Sequence, residues 1–504
     1  MRKYLVIFVS IVIILPGLLL SAPATAKDKG TPPVYVVFWF DYEDYISGNP
    51  SNEAAIRIAE IMRKNGVKAV FKVVGMKAEE IEKKGLSEVI SALAFHEVGF
   101  HSYNHSIHPT IGEYLKGKGF AEGVAEFKRR EEKGELAVRR VFGRVPICYG
   151  QPGSAWAPQV YPVLREWGIK LYLDEGDHIG IDNQPFWYLG VLNIYRMRST
   201  VIKLHALATE DDLKRAEEKA KRAWSLLRKR GGGVISTYSH PLEFVTKTYW
   251  DRLNFKEGKN IPPGKWVKPP LRSKEEIELS FRHLDEYTKF LLSLPGVRSV
   301  SGSELLHLYR DLAPEASYPP SSVLLLARSV VDNISFVVMD GYSLSPGEVF
   351  SVLVNFFASY EKEGKIPNRV KLTPIFEGPT ARITTTGERV LRSDFCSAVN
   401  RLQKVFSKEH RIPNFIEVGK VKLAPADFLA TLGWVIERVL SGEEVGKKFP
   451  IVKGNPSFER YVFGKDVWQW SVFPKGFSAP DLIELARLQA WTLKPAILHP
   501  EGGW

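Results

Sequence analysis

The chain has 504 residues, a formal net charge of +12 and only two cysteines, Cys148 and Cys396. So few thiols exclude a disulfide-built scaffold and a cysteine-rich zinc module; the two could pair in an exporting cell or stay as buried free thiols. Lys and Arg are scattered among Asp and Glu rather than gathered in one block, which argues against nucleic acid as a partner and is compatible with an anionic cell envelope.

The chain opens "MRKYLVIFVSIVIILPGLLLSAPATAKDKG", a short basic start, an apolar run and then Ala24-Thr25-Ala26. Residues 1–26 read as a secretory signal peptide with an A-x-A cleavage site. The apolar run from Tyr4 to Leu20 approaches the ~20 residues that span a bilayer, so an uncleaved anchor is the alternative. Loss of Arg2 and Lys3 with the signal lowers the charge from +12 to about +10. No later stretch has about eighteen uninterrupted apolar residues, so no integral membrane segment is expected after cleavage, and the protein is expected to be secreted or envelope-associated.

From 34 to 312 apolar strands alternate with amphipathic helices. "VYVVFWF" predicts a buried strand, "NEAAIRIAEIMRKNG" a helix closing on Gly66, "KAVFKVV" a strand and "LSEVISALAFHE" a helix. The rhythm continues through "YPVLREWG", "LYL", "DDLKRAEEKAKRAWSLLRKRGG", "GVISTY" and "EEIELSFRHLDEYTKFLLSLPG". Strand and helix repeating on this scale predict an α/β domain with a parallel sheet, open or closed into a (β/α) barrel. The basic run Leu213 to Arg230 has apolar positions at helical spacing and reads as a solvated helix face.

Residues 313–322, "APEASYPPSS", read as a linker. In 323–504 a short polar turn leads four times into an apolar helix: "SLSPGEVFSVLVNFF", "VLRSDFCSAVNRL", "KLAPADFLATLGWVI" and "GFSAPDLIELARL". Each carries Glu or Asp near the first turn, where the helix dipole favours negative charge. Two of the helices exit through "EGKIPNRVKL" and "EHRIPNFIEV". Repetition of this kind predicts a smaller α+β repeat domain that presents a binding surface.

The stretch "EVGFHSYNHSIHP", Glu97 to Pro109, places three of the eleven histidines within eight residues. His101 and His105, four apart, would aim both imidazoles at one point on a helical turn. Neutral imidazole suits zinc and similar ions, and a catalytic site needs three protein ligands and an open position. The first strand ends in Asp41, Glu43 and Asp44. That is where α/β folds gather catalytic groups and ligands, and buried carboxylates there need a cation.

"FDYED", then "HSYNH" with His108-Pro109, then "YSHP" at Tyr238 to Pro241 together resemble the polysaccharide deacetylases, the NodB-like family 4 carbohydrate esterases, over about residues 35–308. The resemblance implies a divalent metal, zinc by expectation, held by His101, His105 and either Glu43 or Asp44. It implies Asp41 as general base and His240 as general acid. Ser102 falls where the family braces its ligand loop, and His108 has no role in the pattern. The family also uses an Arg near a Pro to orient the base and a later Asp to hold the late His. Here Gln151-Pro152 stands at the first place, and Asp174 or Asp177 at the second. Loss of that guanidinium points to weaker activity, an altered substrate or a binding-only role.

Residues 395–436 are similar to the pseudomurein-binding repeats of archaeal cell-wall proteins, with a partial match over 349–372. Together the two resemblances imply an exported N-deacetylase of a cell-envelope glycan with a C-terminal wall-binding module. The alternatives are a catalytically silent glycan-binding protein on the same fold and a hydrolase of another amide.

Overall fold

The computed structural model describes residues 32–464 and 467–500; the expected signal peptide at 1–26 lies outside them. Ten of the eleven strands in the main sheet of the described residues come from the first 300 residues: β1 (Val34–Tyr42), β2 (Val70–Val73), β3 (Glu97–Phe100), β4 (Cys148–Tyr149), β5 (Leu171–Leu173), β6 (Phe186–Tyr188), β7 (Val191–Ile194), β8 (Val201–Lys203), β9 (Gly233–Ser239) and β10 (Val297–Ser299). They run in the order β6-β7-β5-β4-β3-β2-β1-β9-β8, and β10 pairs with β1. Every pairing among these ten is parallel except β6 with β7. The result is a curled half-barrel within a mixed α/β fold, as the strand and helix rhythm implied.

β1 explains the arrangement. All nine of its residues are buried, which a strand flanked on both faces requires. Val34, Val36, Phe38 and Phe40 pack in the large core, while Tyr35, Val37 and Trp39 join Val70, Cys148, Leu171, Leu173, Val234 and Tyr238 in a second cluster inside the curl. Because side chains alternate along a strand, Asp41 continues the interior row of Tyr35, Val37 and Trp39. Its parallel neighbour in register is Lys72, and the neighbour of Lys72 is Gly99. The interior row therefore ends, at the carboxyl edge of the sheet, in charge.

Helices cover the outside. Lys274–Ser293 begins with a capping box at Ser273 and Glu276. Glu210–Lys229 buries Leu213, Ala216, Ala220, Ala223 and Leu227 and presents its basic residues outward. Gly134 in the helix Phe120–Phe142 and Gly75 approach each other and Tyr103 so closely that a Cβ on either would overlap backbone, which seats that helix against the histidine loop.

The C-terminal half differs from the expected arrangement in two ways. Residues 313–322 are not a free linker: Tyr318 is buried, bridges to Val370, and donates from its hydroxyl to the Ala313 carbonyl. The repeat is also larger than the matching Ile-Pro-Asn exits suggested. A helix, a hairpin and a second helix occur twice, as Pro320–Asp332, Val337–Met339 with Tyr342–Leu344, and Pro346–Glu363, then as Arg392–Glu409, Ile416–Val418 with Val421–Leu423, and Pro425–Leu440. The exit at 366–368 leads instead to the bridge with Tyr318.

Nor does 323–504 stand apart. Beyond the second unit the chain returns to the barrel: Ile179 bridges Val462, and Phe463 N–H donates to the His178 carbonyl at 2.7 Å. Lys494–Pro495 adds an antiparallel strand beside β6. Lys494 is buried and ion-paired with Glu348 and Asp311, both at 2.7 Å, and one apolar core runs through both halves. Two segments separated by the helical units thus share the same core, a long-range contact that local sequence patterns do not carry. Cys148 and Cys396 are both free. No helix of the described residues is long and apolar enough to cross a membrane.

Candidate metal and catalytic site

The site lies at the carboxyl edge of the sheet, where β1, β3, β5 and β9 deliver Asp41 and Glu43, His101, Asp174 and His240. All five line one cavity of about 470 Å³, together with His105 and Gln151. One ligand atom each from Glu43, His101 and His105 lie within 4.8 Å of one another. His105 Nε2 is 3.0 Å and His101 Nε2 3.7 Å from Glu43 Oε2.

The histidines converge on a loop rather than on the expected helical turn. The residues after β3 form turns and bends, with Ser102 at φ 64° and His105 at φ 59°. Left-handed conformations at non-glycine residues persist only where surroundings enforce them. Here Ser102 Oγ accepts from His105 N–H at 3.1 Å, and the buried Glu131 carboxylate accepts from Tyr103 N–H at 2.6 Å. The outer nitrogens are also engaged: His101 Nδ1 with the Gly150 carbonyl at 3.0 Å, and His105 Nδ1 with Ser106 Oγ at 2.5 Å. Both Nε2 atoms are thereby turned to the centre. Trp250 Nε1–H donates to Glu43 Oε1 at 3.1 Å, leaving Oε2 for the same point. Two imidazoles and one carboxylate, each fixed by an outer partner, fit a divalent ion of the zinc type with an open position.

Asp44 does not belong to this set. Its Oδ1 accepts from the backbone N–H groups of Ile46 and Ser47, both at 2.9 Å, so it folds the loop after β1. The acidic ligand position falls to Glu43. His108 is likewise structural, bonded to Glu113 at 2.7 Å and to the Phe255 carbonyl at 3.1 Å.

Asp41 and His240 line the cavity side by side, with His240 Nε2 3.6 Å from Asp41 Oδ2. His240 is oriented by Glu243, whose Oε2 accepts from Nδ1 at 2.8 Å. That corrects the expectation for Asp174 and Asp177. Asp174 pairs with Lys72 at 2.6 Å, and Asp177 with Arg198 at 2.7 Å. Burial works against the imidazolium of His240, but the charges of Glu43 and Glu243 raise its pKa above the ordinary histidine value.

Gln151 does not orient Asp41 either. Its amide donates to the carbonyls of Gly153 and Glu175 and accepts from Tyr172 Oη–H at 2.6 Å. The cation beside Asp41 is Lys72, with Nζ 2.9 Å from Oδ1. Two buried carboxylates share this ammonium, and their pKa values part. Burial and the neighbouring Asp41 charge push Asp174 up to about 7. Asp41 feels the same burial, yet His101, Lys72 and His240 hold it below the ordinary carboxylate value. The arrangement keeps Asp41 as the ionised member of the pair.

The sequence reading passed over Lys72, Glu243 and Trp470. Lys72 had a readable signal, since in "KAVFKVV" it shares strand parity with Val70 and sits in an otherwise apolar run. Glu243 lies three residues after His240, in the short helix Pro241–Phe244. Trp470 gives no local signal: it comes from the returning C-terminal segment and lines the cavity with Gln469 and Ser471.

No protein-family model matches the sequence, and no curated protein does. Among solved structures, a family 4 carbohydrate esterase from Streptomyces lividans in complex with acetate is similar over 54% of this chain and 94% of its own, at 14% identity and a TM-score of 0.29. A family 4 carbohydrate esterase pseudoenzyme from Bacillus anthracis is similar over 54% of this chain and 66% of its own, at 15% identity and a TM-score of 0.29. The PuuE allantoinase is similar over 58% of this chain and 97% of its own, at 13% identity and a TM-score of 0.37. These likenesses concern the fold, and the chemistry of the site rests on its own side chains.

Proposed function

We propose that the protein is an exported, metal-dependent N-deacetylase of an N-acetylated cell-envelope glycan, with zinc as its metal. The observation that carries this reading is the convergence on one cavity of Asp41 and His240, 3.6 Å apart, with the ligand set Glu43, His101 and His105. A divalent ion bound there supplies a Lewis acid that lowers the pKa of water and polarises an amide oxygen. Asp41, held ionised with the Lys72 ammonium 2.9 Å from Oδ1, takes the proton of the attacking water on Oδ2. His240, its Nδ1–H held by Glu243, gives a proton from Nε2 to the departing nitrogen. The C–N bond breaks, and acetate and a free amino sugar leave.

Export is supported by the N-terminal basic, apolar and Ala-Thr-Ala sequence, and wall binding by the C-terminal resemblance. The binding-only alternative leaned on Gln151 in place of an orienting Arg; the ammonium of Lys72, 2.9 Å from Asp41, offers a cation for that place and supports the enzyme reading. Acetate release from a panel of N-acetylated glycans, with and without added divalent metal, tests the proposal. Metal-stimulated release supports it, and tight glycan binding with no release from any member would sink it.

A further inference from the structure

Resting on the deacetylase reading, we infer that Lys72 is a positioning residue for Asp41, supplying from β2 the fixed cation that the resembling family takes from an Arg later in the chain. Strand register places Lys72 directly beside Asp41. Its ammonium lies between Asp41 Oδ1 at 2.9 Å and Asp174 Oδ2 at 2.6 Å, and its side chain is fully buried. The surroundings are shaped to hold it. Nζ stands 4.0 Å from the centre of the Trp39 ring, which itself stacks flat on Tyr238 with centroids 4.1 Å apart. Gly99 and Gly150 flank the side chain: a Cβ on Gly99 would crowd Lys72 Cγ, and one on Gly150 would overlap both Nζ and Asp174 Oδ2.

Stability alone does not account for such a trio. The interior beneath it is apolar, with Val37, Val70, Cys148 and Leu171, and buried ion pairs are often replaced by apolar side chains at no loss of stability. What the charges do accomplish is geometric. The ammonium sits on the Oδ1 side of Asp41 as a close ion pair, without a hydrogen bond to it, and Oδ2 faces His240 Nε2, 3.6 Å away. Asp174 holds the ammonium from the other side, so it cannot swing off Asp41. Gly150 serves twice, clearing space for Nζ and accepting from His101 Nδ1 at 3.0 Å, so the position of the base and that of a metal-site histidine are set against the same backbone.

The test uses the full chain. Lys72→Met alone would leave two buried carboxylates facing each other and could fail to fold, so the informative variant is Lys72→Met with Asp174→Asn, in which Asp41 is the remaining charge. It should keep one equivalent of zinc and change KM less than about threefold, while kcat falls on the order of 10²-fold, because misplacing a catalytic group by about 1 Å costs that much. Asp174→Asn alone, which keeps the ammonium on Asp41, should lose less. A second readout needs no turnover: the visible spectrum of the Co(II)-loaded protein without substrate should shift in the double variant. A kcat within tenfold of the parent, or an unchanged Co(II) spectrum in a protein that folds and binds the ion, overturns the inference. If the parent releases no acetate from any glycan, the deacetylase reading fails, and the Co(II) spectrum decides the role of Lys72 by itself.

Discussion

The indole of Trp470 stands edge-on to the imidazole of His105, with ring centroids 5.4 Å apart at 90°. Its Nε1–H donates to Asp251 Oδ2 at 3.2 Å and its backbone N–H to Ser154 Oγ at 3.1 Å. The ring lies where a Cβ on Gly153 would be, and Gly153 is at φ 49°. A C-terminal segment thus supplies one wall of the cavity, and an aromatic face suits a sugar ring. Trp470→Ala should raise KM about tenfold, the effect of losing an aromatic contact worth roughly 1.5 kcal/mol, with metal content unchanged. Steady-state kinetics beside metal analysis decide it, and an unaltered KM would remove Trp470 from substrate binding.

The ligand assignment makes Glu43 and Asp44 separable. His101→Ala with His105→Ala should abolish stoichiometric metal, and Glu43→Ala should weaken it by at least tenfold, since one of three ligands is lost. Asp44→Ala should keep the metal and instead destabilise the protein by about 1–2 kcal/mol, the usual cost of removing a side-chain cap from backbone N–H groups. Metal titration and thermal unfolding of these three variants beside the parent give the answer. Metal loss in Asp44→Ala with full retention in Glu43→Ala would reverse the assignment.

His240 and Asp41 should matter for turnover far more than for metal content. Replacing either with Ala should cost on the order of 10² or more in kcat. Glu243→Gln should produce a smaller loss, because an amide at that position still contacts Nδ1 but no longer stabilises an imidazolium. Full activity in any of the three would take that residue out of the proposed chemistry.

How much of this was legible from the sequence follows from the distance over which each signal acts. The nine-residue β1, the helices with capping boxes and the His101–His105 pair all carry local patterns, and the structure brings Asp41, Glu43, His101, His105 and His240 to one cavity. Asp44 misled because two carboxylates one residue apart differ only in which backbone groups they meet. The orienting roles given to Gln151 and Asp174 failed for a related reason. They were assigned by place in the chain, whereas the contact between Lys72 and Asp41 depends on strand register. Trp470 and the strand Lys494–Pro495 depend on the chain's return after the helical units, for which no local pattern exists.

The position of Gln151 leads to a definite expectation for Gln151→Arg. If it were an empty place for an orienting guanidinium, the substitution would raise activity. Gln151 is buried and its three polar contacts are all made, to Tyr172, Gly153 and Glu175, while Lys72 already neutralises Asp41. A second, larger cation there would lose those hydrogen bonds and enclose an additional charge, a combination that costs several kcal/mol. Reduced stability and reduced acetate release are expected, and a gain in turnover would show that Lys72 does not fill the role.

Glu131 gives a pH-dependent prediction away from the chemistry. It is buried in the helix Phe120–Phe142, and its carboxyl accepts from Tyr103 N–H at 2.6 Å and Tyr114 Oη–H at 3.1 Å. Burial pushes its pKa up to about 7, despite those two hydrogen bonds and the charge of Arg130. The folded state therefore binds the proton more tightly than the unfolded chain, whose glutamate titrates near 4.5. The stability this contributes is fully present below about 4.5 and is lost as pH rises through 7. Glu131→Gln removes the titration, keeps an acceptor for Tyr103 and leaves no buried charge. Its stability relative to the parent should rise between about pH 4.5 and pH 7, by on the order of 1.4 kcal/mol for each pH unit crossed, and level off above pH 7. Thermal unfolding of both proteins across that range measures the difference directly. A constant difference would mean that Glu131 stays ionised in the folded protein, and that its hydrogen bonds to the histidine loop outweigh its burial.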